Sequence, residues 1–167
     1  MSEVQHLAYV VENHFSNPQA SSFAHFVTVS DGLSAEQAAK VPGERFNSVW
    51  GVVNHIAFWQ EVTCLALRGQ QINLADWNLS EMGSGWPPLG ELSDANWQAA
   101  RQRALDGNHA FAKAIAALSN DDLQNEMPWG GKVWEGIYAI YAHNSHHTSE
   151  ILSIRHMLGF WVEHPWT

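Results

Sequence analysis

The chain has 167 residues, of which 46% are hydrophobic and 15% charged, enough apolar side chain for one core and too apolar for a disordered segment. Seventeen acidic residues face eight basic ones, a formal charge of -9, which argues against a nucleic-acid or anionic-lipid partner, since both need a basic face. The single cysteine, Cys64, excludes an intrachain disulfide and a cysteine-built zinc cluster.

In chain order the apolar spacing is helical nearly throughout. Val4, Leu7, Ala8 and Val11 form a first stripe, and the segment 14–18 interrupts it. Asn17 followed by Pro18 has the pattern of an N-cap and first helical residue, so a second helical piece is expected from there to Gly32. Ser34 with Gln37 fits a capping box for a short turn of helix, stopped by Val41-Pro42-Gly43. A long helix is expected from Asn47 or Ser48 to Arg68, closed by Gly69, with Val52, His55, Ile56, Trp59, Thr63 and Ala66 as its inner stripe. The stretch 70–92, with three glycines and two prolines, reads as a long loop. Ser93 and Asp94 start the next helix, which runs to about Leu118 through Trp97, Ala100, Ala104, Asn108, Phe111 and Ile115. Gly130-Gly131 precedes a last helix over 132–158, closed by Gly159, with Val133, Ile140, His143, His147, Ile151, Ile154 and Leu158 inward.

These elements predict an all-α fold: an up-down four-helix bundle with an N-terminal helical extension, forming a single domain over 1–167. The N-terminus lacks a signal-peptide pattern and no apolar run reaches the ~18 residues of a membrane span, so a cytoplasmic protein without membrane contact is expected.

The chain has ten histidines, and three of them carry the functional expectation. His143 and His147, four apart on a helix, project to one side about 6 Å apart, a spacing that lets two imidazoles grip one ion. His55 lies on the inner stripe of another helix, so His55, His143 and His147 together suggest a three-nitrogen metal site with an open position. The plain alternative is a set of hydrogen-bonded core histidines. His146 falls at the edge of the stripe and is the weaker ligand candidate, while His6, His14, His25, His109 and His164 read as surface or packing residues. The run His143-Asn144-Ser145-His146-His147 has the outer spacing of a zincin helix without its glutamate, which argues against a metalloprotease.

Two segments carry a family likeness. Ser48-Val49-Trp50-Gly51-Val52-Val53-Asn54-His55-Ile56-Ala57-Phe58-Trp59, and His143-Asn144-Ser145-His146-His147-Thr148-Ser149-Glu150-Ile151 with Leu158-Gly159, resemble the second-helix and last-helix signatures of the DinB-like metalloprotein superfamily. Trp86-Pro87-Pro88 and the run from Ser93 to Trp97 are similar to a common variant of its middle segment. The resemblance implies a four-helix bundle, often a homodimer, with a metal triad carried over onto His55, His143 and His147. It implies zinc or nickel as the ion. In some relatives it implies a low-molecular-weight thiol (bacillithiol, mycothiol or glutathione) in transferase or isomerase reactions on a small-molecule substrate.

Glu150 departs from that pattern, because many relatives carry Gln or His there. It is open to three roles, as fourth ligand, as a partner orienting an imidazole, or as general base; a solvated carboxylate at the stripe's edge is preferred to any one of them. Asn108 either lines a pocket by the metal or, preferred, marks with Gly107 a kink or close helix approach. Trp50 and Trp59 read as core rings. Trp77, Trp86 and Trp129 read as loop rings able to wall a pocket or a dimer contact. Cys64, between Glu61 and Arg68 on its helix, has no clear thiolate activation and reads as packing. The expected function is a metal-dependent enzyme that activates a thiol or water for transfer to, or hydrolysis of, a small electrophile. The alternatives are a non-catalytic metal- or ligand-binding stress or sensor bundle, and a purely structural bundle.

Overall fold

The computed structural model describes residues 1–20, 23–73 and 85–163. It is all-helical, 63% helix with four long helices, an all-α bundle as the periodicity predicts. Those four are α1 (Glu3–Ser16), α4 (Val49–Leu67), α5 (Asp94–Ala116) and α6 (Val133–Met157); α2 (Phe26–Val29) and α3 (Ala35–Ala39) are short pieces between α1 and α4. A 3-10 turn, Asp121–Gln124, links α5 to α6. No helix among the described residues is long and apolar enough to cross a membrane.

The caps explain the boundaries. The Ser48 hydroxyl accepts from the Gly51 N–H at 3.0 Å and Ser93 from Asn96 at 3.2 Å, satisfying donors that a first turn leaves bare. Gly69 and Gly159 stop α4 and α6 at φ +70° and +80°, where a Cβ is disfavoured. Two expectations near the N-terminus need correction. The segment 14–18 does not end α1 at His14, because Phe15, 4% exposed, continues the buried stripe one turn beyond Val11. Asn17 does not start a long helix. Its side chain accepts from the Gln19 N–H at 3.1 Å and closes only a local turn, and regular helix resumes for four residues at Phe26.

The sense of the helices refines the up-down reading. Along α4 and α5 the contacts advance together, Glu61 with Arg103 and Cys64 with Ala110, so these neighbours run parallel. Across α4 and α6 they run in opposite order, Asn47 to Glu150 and His55 to His143. Parallel neighbours need a connection as long as the helix, roughly 28 Å for α4, which is why a long stretch of chain separates α4 from α5. The described end of that stretch lies back along α4, where the Asn54 amide donates to the Pro88 carbonyl at 3.4 Å.

Two apolar clusters fill the bundle. One joins Trp50, Val53, Ile56, Trp97, Phe26 and Ile154; the other joins Val4, Val11, Phe111, Ile115, Ile137 and Ile140. Between these clusters lie buried polar side chains, Gln60 and Thr63 on α4, Asn108 on α5, and Asn144, His147 and Thr148 on α6. Gly107 is a point of close approach, since a Cβ there would sit 2.7 Å from the Gln60 amide oxygen. Asn108 donates to the Val11 carbonyl at 3.2 Å and so ties α5 to α1.

Candidate metal centre

The antiparallel pairing of α4 and α6 sets His55 opposite His143 and His147. A ligand nitrogen from each ring lies within 4.8 Å of the other two. The Nε2 atoms of His55 and His143 are 3.0 Å apart. His55 and His147 are buried, at 6% and 9% exposure, and His143 is partly buried.

Acceptors on the outward nitrogens favour the Nδ1–H tautomer of each ring. His55 Nδ1 is 2.6 Å from the Gly85 carbonyl oxygen, which only accepts, so Nδ1 carries the proton. His147 Nδ1 donates to Glu150 Oε2 at 2.6 Å, and His143 Nδ1 donates to the Asn144 amide oxygen at 3.3 Å. In that tautomer each ring keeps its Nε2 lone pair for a ligand. Burial pushes His55 and His143 down to about 4, and the neighbouring His147 pushes the same way, so both are neutral near pH 7. In the Nδ1–H tautomer the His55 and His143 lone pairs face each other at 3.0 Å and repel unless they share a cation; in the competing one His143 Nε2–H donates to His55 Nε2. Three imidazoles with a ligand nitrogen each within 4.8 Å of the others fit a divalent ion.

Aromatic rings wall the site. Trp86 stacks on His55 with centroids 3.8 Å apart and planes 7° from parallel, and its ring meets His147 edge-on at 5.9 Å. Trp59 lies edge-on to both His55 and His143 at 6.4 Å. Gly85 has φ +86° and its hydrogen faces Phe58 and Trp59, with no room for a Cβ.

Residues 22–166 match the family model of the DinB superfamily. The chain belongs to that superfamily. Members of the DinB superfamily often bind metal, and the histidine cluster here is compatible with it. The match includes the triad and all its Nδ1 partners, while α1 precedes it. No curated protein and no solved structure matches the chain.

Within this DinB chain the other expected residues sort plainly. Glu150 is not a solvated edge carboxylate: it is half-buried, and its second oxygen accepts from the Asn47 amide at 2.9 Å. These hydrogen bonds, that with His147 first, hold it below the usual carboxylate range. His146 is exposed and does not belong to the group of His55, His143 and His147, though it forms a second group with His147 and Glu150. Cys64 is buried, its thiol 3.6 Å from the Ala110 carbonyl, and burial pushes its pKa up, as a packing residue requires. His25 is a core residue whose Nδ1 meets the His14 carbonyl at 3.0 Å. Trp77 and His164 lie outside the described residues. Sequence reasoning missed Asn47, Gly85 and Asn144 as partners of the triad, and only Gly85 left a signal, a glycine next to Trp86.

Proposed function

We propose that His55, His143 and His147 hold one divalent ion, zinc or nickel, through Nε2, and that the centre serves an enzyme acting on a small electrophilic substrate. The observation that carries this reading is the convergence of three imidazoles, each with its Nδ1 held by an acceptor outside the cluster. When bound, the ion lowers the pKa of a thiol or water enough to supply a nucleophile near neutral pH. The chain's own contribution is orientation and water exclusion. The Gly85 carbonyl, Asn144 amide and Glu150 carboxylate set the ring planes, and Trp86 and Trp59 shield the His55 face from solvent.

A non-catalytic, coordinatively closed centre would need Glu150 as the fourth ligand. Against that, both Glu150 oxygens are engaged, Oε2 by His147 Nδ1 and Oε1 by the Asn47 amide. This supports an open position for thiol or water. Transfer of a thiol is preferred to hydrolysis on family likeness.

The test is elemental analysis of tag-free protein beside His55→Ala, His143→Ala and His147→Ala. One equivalent of metal in the wild type, lost in each variant, is the expected result. A variant that keeps full occupancy, or a wild type that takes up no zinc or nickel at neutral pH, overturns the reading.

A further inference from the structure

We infer that Asn47 and Glu150 act as a positioning pair that locks His147 with its Nε2 toward the metal and makes it the most strongly donating ligand of the three. The inference rests on the triad reading above. His147 and Glu150 are three apart on α6, within reach of each other, but a free glutamate would sample several rotamers in the solvent it partly meets. Asn47 removes that freedom. It sits just before the Ser48 cap of α4, 103 residues from Glu150 in the chain, and its Nδ2 donates to Oε1 at 2.9 Å. With Oε2 taken by His147 at 2.6 Å, the carboxylate is held at both oxygens. It cannot swing toward Nε2 as a ligand, and it cannot release Nδ1.

The three rings are consequently unequal. His55 has a neutral carbonyl behind it and His143 a neutral amide at a longer 3.3 Å, whereas His147 alone has an anion. A carboxylate behind a ligand imidazole pulls on its proton and raises electron density at the far nitrogen. The pair also ties the start of α4, the helix carrying His55, to the helix carrying the other two histidines.

The experiment uses the full chain in metal-free and zinc-titrated forms. Ring-nitrogen NMR of the metal-free protein reads each histidine's tautomer, chelator competition reads zinc affinity, and thermal unfolding checks that each variant is folded. Glu150→Ala is expected to convert His147 from the Nδ1–H form to a tautomer mixture, leave His55 and His143 unchanged, and weaken zinc roughly 10- to 100-fold. Glu150→Gln is expected to keep the tautomer, since its amide oxygen still accepts, and to recover part of the affinity. Asn47→Ala is expected to fall between wild type and Glu150→Ala. An unchanged His147 tautomer in Glu150→Ala, zinc affinity within about twofold of wild type, or no recovery in Glu150→Gln overturns the inference. A wild type that binds no zinc while Glu150→Ala still shifts the tautomer would instead sink the metal reading and leave the positioning pair standing.

Discussion

Gly85→Ala tests the site through a backbone atom. Gly85 has φ +86°, where an L side chain costs about 1–2 kcal/mol. Its new Cβ would lie 2.7 Å from the Trp59 indole nitrogen and 3.0 Å from two Phe58 ring carbons. Phe58 is 9% exposed and cannot swing clear, so relief must come from moving Trp59, the loop or both, at a further ~1–3 kcal/mol. Either movement disturbs the triad. Displacing the loop breaks the 2.6 Å hydrogen bond from His55 Nδ1, and displacing Trp59 pushes on the His55 and His143 rings it borders.

Loss of an orienting partner of this kind costs roughly 10- to 100-fold in metal affinity, about 1.4–2.8 kcal/mol. Chelator competition measures the affinity, and thermal unfolding of the metal-free variant measures the strain. Gly90→Ala is the control, because nothing lies within 4 Å of the Cβ it would add and its φ is ordinary. Wild-type affinity in Gly85→Ala would refute the role assigned to the carbonyl, whether or not the melting temperature falls.

Acid should destabilise the metal-free protein. His55 and His143 sit at about 4 when folded against an ordinary 6.5, so the unfolded chain binds protons first; stability present above about pH 6.5 is lost as pH falls toward 4. Glu150, also depressed, adds to the loss in the same direction at lower pH. Denaturant midpoints across pH 4–7.5 check this, and a flat profile counts against the burial argument. Gln60 is fully buried with neither amide atom hydrogen-bonded among the described residues, so Gln60→Met, similar in shape, should raise stability by about 1–3 kcal/mol. A lower melting temperature would mean that the amide is satisfied in solution.

The legible parts of this molecule are those encoded by neighbours in sequence. Ser48, Gly69, Ser93 and Gly159 mark helix ends because caps are local, and His143 with His147 share a face because four residues make about one turn. His55 was reachable because it interrupts an apolar stripe. Asn17-Pro18 misled for the same local reason: an Asx turn and an N-cap begin alike, and only the continuation of the chain beyond Gln19 separates them. The parallel sense of α4 and α5 was hidden, since helix periodicity carries no direction and only the loop's length hints at it. The partners of the triad were hidden more deeply. The Gly85 carbonyl is backbone, common to every residue, and Asn47 reaches Glu150 across 103 positions.

The partners of the triad come from three parts of the chain, Gly85 before α5, Asn144 and Glu150 on α6, and Asn47 before α4 donating to Glu150, so the centre forms only when the bundle does. Such a centre should be a burden to the metal-free fold. It places two neutral rings, His55 and His143, with Nε2 atoms 3.0 Å apart in the polar layer between two apolar clusters. If the histidines serve metal, His143→Leu replaces a desolvated polar ring by an apolar one and should leave the metal-free melting temperature unchanged or higher, while saturating zinc no longer stabilises the protein. In the wild type, zinc at 100 times its Kd should add about 2.7 kcal/mol. If the histidines serve packing instead, His143→Leu lowers the melting temperature, and zinc moves neither protein. The two curves with and without zinc, on wild type and variant, separate a site that spends stability on function from a core that happens to contain imidazoles.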